Sequence, residues 1–97
     1  MPDLIDRAVE FVKSPNYIEM TTRQLAVLGE AMAAPQPLKV RELAKLLNVS
    51  KPVVTRALIV LSDMGLIERQ RGRDRRDRFV HVTPAATEFR AKLGGQA

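Results

Sequence analysis

The sequence contains no cysteine, which excludes a disulfide scaffold, a cysteine zinc site and a thiol nucleophile. Large aromatics are scarce: Phe11, Tyr17, Phe79 and Phe89 are the full set. Leu, Val, Ile, Ala and Met must therefore fill the core, and an aliphatic core rich in alanine suits packed helices better than a β-sandwich. No apolar run approaches the roughly 18 residues needed to span a bilayer, so no membrane partner is expected. The apolar stretch near the start is broken by Asp6, Arg7, Glu10 and Lys13, so it does not read as a signal peptide. The five glycines are each explicable as a cap, a bend, a helix crossing or a terminus, which leaves no loop to cradle a phosphate. No GxSxG, P-loop, HExxH or paired-carboxylate motif occurs. The expectation is a protein without enzymatic activity, cofactor or metal site. The lone histidine, His81, has no partner cluster in the sequence and reads as structural.

What the sequence does have is concentrated positive charge. The net charge of the 97 residues is +5. Residues 69–78, RQRGRDRRDR, hold six arginines against two aspartates, a local net of +4 that leaves only +1 for the other 87 residues. Such a balance suits a polyanionic partner. A chain of this length is expected to form one domain, residues 1–97, and its 45% of hydrophobic residues suffices for one core.

Periodicity divides the chain. Residues 3–13 place Leu4, Ile5, Ala8 and Val12 at helical spacing with Asp3 as N-cap, and Ser14-Pro15-Asn16 ends that helix. Thr21 or Thr22 caps a second helix with Leu25, Leu28 and Met32 on one face, widened by Ala26, Val27 and Ala31. Gly29 within it suggests a close helix crossing. After Pro35-Gln36-Pro37, residues 39–47 put Val40, Leu43, Ala44 and Leu47 on one face, with Lys39, Arg41, Glu42 and Lys45 on the wet side. Asn48 tolerates the left-handed conformation that stops a helix, and Ser50 is placed to cap the next. Val49 and Val54 occupy the two positions of a hydrophobic staple. The helix from Lys51 to about Met64 carries Val54, Ala57, Leu58 and Leu61, with Gly65 as its cap. Two amphipathic helices joined by about three residues, over 39–64, are the helix-turn-helix signature.

Past Gly65 the period changes. Residues 66–71 and 78–83 are short and β-prone, and the piece between them is polar with Gly72 at the bend, which predicts a two-stranded hairpin over 66–83 with a charged tip. Thr83-Pro84 then starts a last helix with Ala86, Phe89 and Leu93 on one face. The expected fold is mainly α with a small β-hairpin: a winged helix-turn-helix.

Two features carry chemistry. With Val54, Ala57, Leu58 and Leu61 buried, Ser50, Lys51, Pro52, Thr55, Arg56 and Ile59 lie on the outer face of the second helix. An α-helix fits the major groove of B-DNA. There Arg56 could bond guanine, Thr55 a base or a phosphate, and Ser50, Lys51 and the first-turn amides phosphates. The second feature is the arginine cluster. A hairpin tip rich in arginine suits the minor groove, and Asp74 and Asp77 would pair with neighbouring arginines and fix their rotamers.

The stretch VRELAKLLNVSKPVVTRALIVLSDMGLIERQRGRDRRDRFVHVTPAA resembles the DNA-binding core of the MarR-type winged-helix regulators. The likeness rests on Glu42-Leu43-Ala44, Ser50 to Arg56, Gly65 to Arg69, Asp74-Arg75-Arg76 and Val82 to Ala86, five motifs in register. With TTRQLAVL, it covers roughly residues 21–90. The resemblance implies a transcription regulator that binds a pseudo-palindromic operator, with Ser50, Lys51, Thr55 and Arg56 on the recognition helix. It implies that Arg76 is the wing arginine that enters the minor groove and that Asp74 orients the wing. Arg73 and Arg75 are then expected at phosphates.

The expected partner is double-stranded DNA, bound by a homodimer formed through the N-terminal helix (Leu4, Ile5, Ala8, Phe11, Val12), with Phe89 and Leu93 as additions from the C-terminal helix. The expected location is cytoplasmic, on the nucleoid. Two other readings stand beside it: a winged-helix module that docks on a protein, and a non-specific nucleoid-type DNA binder.

Overall fold

The structure, a computed structural model, describes residues 2–74 and 78–94. The order is α1 (Leu4–Lys13), α2 (Thr22–Ala33), β1 (Leu38–Lys39), α3 (Val40–Leu47), α4 (Lys51–Asp63), β2 (Ile67–Arg71), β3 (Arg78–Val82) and α5 (Pro84–Gly94). The helices start where the sequence places capping groups. Asp3 accepts from the Asp6 amide at 2.9 Å while Asp6 reaches back to the Asp3 amide. Thr21 and Gln24 form the same reciprocal pair at the head of α2.

Both helix ends around α4 close in the same way. Asn48 stands at φ 57, ψ 47, its amide donates to Lys45 O, and the Val49 amide donates to Ala44 O. Gly65 stands at φ +78, its amide donates to Ser62 O, and the Leu66 amide donates to Leu61 O. Each is a Schellman motif, with the left-handed residue one place beyond the cap. Met64, rather than Gly65, is thus the cap of α4. A Cβ at Gly65 would meet nothing within 4 Å, so only backbone strain opposes a side chain there. Gly65→Ala is expected to cost about 1 kcal/mol, read as a lower denaturant midpoint at unchanged slope. An unchanged midpoint would show that the left-handed turn is relaxed in the variant.

The core lies between α2, α3, α4, the base of the sheet and α5. Val27, Leu43, Val54, Leu58 and Leu61 are fully buried, joined by Leu28, Ala31, Val40, Ala44, Ala57, Leu66, Ile67, Val80, Ala86 and Phe89. No polar or charged residue is buried among the described residues. The core-facing residues expected on α3, α4 and α5 are buried or packed against this cluster.

Five expectations need correction. The sheet has three strands in the order β1-β3-β2, not two. Leu38 pairs with Val80 and Lys39 with Phe79, so Lys39 belongs to a strand and not to the helix body. A two-residue strand pressed between Pro37 and a helix is too short to show alternation in sequence. Glu42 accepts from the Lys39 amide at 2.7 Å and so starts α3 one residue later. Gly29 sits in open space, since an added Cβ meets nothing within 4 Å, and no close crossing requires it. Leu25 is 37% exposed, because α2 turns Val27, Leu28 and Ala31 inward instead. Phe89 is buried and stacks edge-on against Phe11 at 6.2 Å, so it is core and not free surface.

α1 is the outlier. None of its residues is buried, and Leu4 and Ile5 are each 73% exposed. Among the described residues of α1, Phe11 is the one packed against the core, edge-on to Phe89, and it also meets Tyr17 at 4.9 Å. The Tyr17 hydroxyl donates to the Glu19 carboxylate at 2.7 Å, a bond that raises the phenol above its usual pKa.

Candidate nucleic-acid interface

The turn Asn48–Ser50 joins α3 to α4, and the Schellman motif at Asn48 fixes the direction in which α4 leaves. Four buried residues, Val54, Ala57, Leu58 and Leu61, seat α4 on the core. Its other side faces outward. Ser50, Lys51, Pro52, Arg56 and Ile59 are exposed and Thr55 is half-buried. The outer face foreseen in the sequence is therefore formed as one continuous surface.

The start of α4 differs in detail from the expectation. Ser50 holds the N-cap position with extended backbone, yet its side chain makes no cap hydrogen bond. The reason is local. Pro52 has no N–H to give, and the Val53 amide already donates to Ser50 O at 3.1 Å. The hydroxyl is therefore left to face outward. The same two facts remove most of the first-turn amides that were expected at a phosphate, and leave the Ser50 hydroxyl and the Lys51 ammonium as the groups suited to an anion there.

β2 and β3 pair antiparallel over five residues, from Ile67 opposite Val82 to Arg71 opposite Arg78. They form the stem of the wing. Val80, at mid-strand opposite Arg69, is buried, whereas Val82, at the foot of the stem opposite Ile67, is 38% exposed. His81 and Phe79 are half-buried. Lys39 lies 5.8 Å over the Phe79 ring, which ties β1 to the stem. Arg69 and Arg71 on β2 are exposed, and so are Arg73 and Asp74 beyond it. Arg75, Arg76 and Asp77 lie outside the described residues.

The stem and α4 share an anchor that sequence reasoning missed. Thr83 Oγ1 donates to Gly65 O at 2.7 Å, and its amide donates to Leu66 O at 3.1 Å. The same hydroxyl accepts from the Ala86 amide at 3.3 Å and so caps α5. One side chain thereby joins the end of α4, the foot of the wing and the start of α5. The sequence shows Thr83-Pro84 as a helix start, but nothing in it reveals the bond across 18 residues.

A groove of about 550 Å³ opens between α1, α2 and α5, lined by Ala8, Phe11, Leu25, Met32 and Leu93 with Arg7 and Arg90 at its edge. Among the described residues no cluster of His, Cys, Asp or Glu is suited to hold a metal ion. No helix among them is long and apolar enough to cross a membrane.

The sequence model of the MarR family matches residues 18–77, well over half of the chain and all of the helix-turn-helix. The chain belongs to the MarR family. No curated protein sequence matches it. Solved structures agree with the family on fold. The PcaV transcriptional regulator of Streptomyces coelicolor, solved with its natural ligand, is 20% identical, with a TM-score of 0.72 over 95% of this chain and 69% of its own. An S. aureus MepR mutant bound to an oligodeoxyribonucleotide is 20% identical, with a TM-score of 0.79 over 94% of this chain and 67% of its own. A mutant MarR from E. coli complexed with operator DNA is 27% identical, with a TM-score of 0.71 over 79% of this chain and 55% of its own. This MarR-family chain thus spans from 55% to 69% of the length of these relatives.

Proposed function

We propose that this protein is a transcription regulator that binds double-stranded DNA, with α4 in the major groove and the arginine wing in the minor groove. The observation that carries the reading is the family match across the helix-turn-helix and the first part of the wing. The E. coli relative solved with operator DNA supports it. In this reading Arg56 bonds a guanine edge, and Thr55 a base or a phosphate. Ser50, Lys51 and Pro52 lie against the backbone. Arg76 enters the minor groove, Asp74 orients the wing, and Arg73 and Arg75 meet phosphates. The whole chain acts as one DNA-binding unit in the cytoplasm, without catalysis.

A homodimer fits the same reading. The exposed stripe of Leu4, Ile5, Val9 and Val12 on α1 is the apolar surface that a second copy would cover. Two α4 helices would then reach successive major grooves about 34–36 Å apart.

The test is footprinting of the protein on genomic DNA, with wild type and Arg56→Ala. Discrete sites with two half-sites about 10 base pairs apart are expected. Arg56→Ala should weaken them by about 10- to 100-fold, the worth of a bidentate guanine contact, and relax the preference at one base per half-site. Diffuse coverage would favour the nucleoid-type binder. No DNA binding at all would leave the protein-docking module.

A further inference from the structure

The outer ridge of α4 carries one large aliphatic side chain, Ile59. At 3.6 residues per turn, Pro52, Arg56, Ile59 and Asp63 fall along the line directly opposite the buried residues Val54, Ala57, Leu58 and Leu61. Arg56 and Asp63 suit water. Ile59 is 44% exposed and β-branched, a helix former inferior to the leucine, glutamate or lysine that a solvated position favours. It lies on the same outward line as Arg56, at the C-terminal end of the face that meets DNA in the reading above, on which this inference rests.

Position decides what Ile59 meets. It follows Arg56 by three residues, about 4.5 Å along the helix axis. Successive bases of one strand are about 3.4 Å apart. A helix that brings Arg56 to a guanine therefore brings Ile59 to a base one or two steps away. Guanine and adenine present hydrogen-bonding groups on their major-groove edges and cytosine an amino group beside a bare C5–H, whereas thymine alone carries a C5-methyl. An aliphatic side chain offers no hydrogen bond to the former, and its approach would strip water from them. We infer that Ile59 is a specificity-determining residue: it packs on the methyl group of a thymine one or two base pairs from the guanine bound by Arg56. Thr55, four residues before it, adds a smaller methyl on the neighbouring line of the same face.

Replacing thymine by deoxyuridine removes the methyl and keeps every hydrogen-bonding group. The experiment selects a binding site from a random DNA pool, then replaces its thymines by deoxyuridine one at a time and measures affinity for wild type and Ile59→Ala. Wild type is expected to lose about fourfold at one thymine per half-site, the ratio that burial of one methyl group sets. That thymine should lie within two base pairs of the position relaxed in Arg56→Ala. Ile59→Ala should bind the thymine and deoxyuridine sites equally, with its thermal unfolding unchanged. If wild type binds tightly and selectively yet tolerates deoxyuridine at every thymine, the inference fails and the DNA reading stands. The inference also fails if Ile59→Ala keeps the wild-type discrimination. If neither protein selects any site, both fall together.

Discussion

Raising the salt from about 50 to about 200 mM should weaken DNA binding by about a thousandfold or more, as expected for six or more phosphate contacts. The charge distribution is the ground for this. Of a net +5, residues 69–78 supply +4, and α4 adds Lys51 and Arg56 on its outer face. Counterion release gives a slope of about −0.9 in log affinity against log salt for each neutralised phosphate. Changing Arg73 and Arg75 together to alanine should therefore flatten the slope by nearly two, leaving a salt effect of about 150-fold. Fluorescence anisotropy with a labelled duplex at four or five salt concentrations reads both slopes. A wild-type slope shallower than about −1 would sink the proposal that the wing meets the DNA backbone.

The second large effect concerns stability. Leu58→Ala should destabilise the fold by about 2–5 kcal/mol, the range for a buried leucine that leaves a cavity. Leu58 is 0% exposed at the junction of α4 with the core. A protein of this size has about 5–15 kcal/mol in total, so the variant should melt at least about 10 °C lower and be partly unfolded in the worst case. Calorimetry or circular dichroism checks it. The neighbouring change Ile59→Ala should move the midpoint by no more than about 0.5 kcal/mol, because that side chain leaves no cavity. Two adjacent residues thus separate stability from recognition. A loss below about 1 kcal/mol in Leu58→Ala would mean that α4 is seated less firmly than its burial indicates.

The helix-turn-helix was legible because its signals are local. Asn48 stops one helix, Ser50 and Pro52 open the next, and leucine spacing orients both. The wing stem was legible for a similar reason: Arg71 and Arg78 close a short hairpin whose pairing depends on near neighbours. What escaped depends on distance in the chain. β1 exists because β3 offers Val80 and Phe79 to pair with, and two residues cannot announce that themselves. The Thr83 bond to Gly65 is another case. Leu25 was misjudged because a helix with apolar residues on several sides has no single face until its neighbours choose one. Of the residues expected at DNA, Ser50, Lys51, Pro52, Thr55, Arg56, Arg73 and Asp74 occupy exposed or half-buried positions, and the amides of the first turn were overcounted.

The strand order β1-β3-β2 also bears on how the protein keeps to itself. β3 is paired on both flanks, while β2 stands at the rim of the sheet. An uncovered rim invites another chain to add a strand, which is a route to aggregation. Four of the five residues of β2, Glu68, Arg69, Gln70 and Arg71, are polar and exposed. A like strand aligned beside them would set arginine against arginine. Side by side, Arg69 and Arg71 of two copies would repel each other, which disfavours pairing of one β2 rim with another.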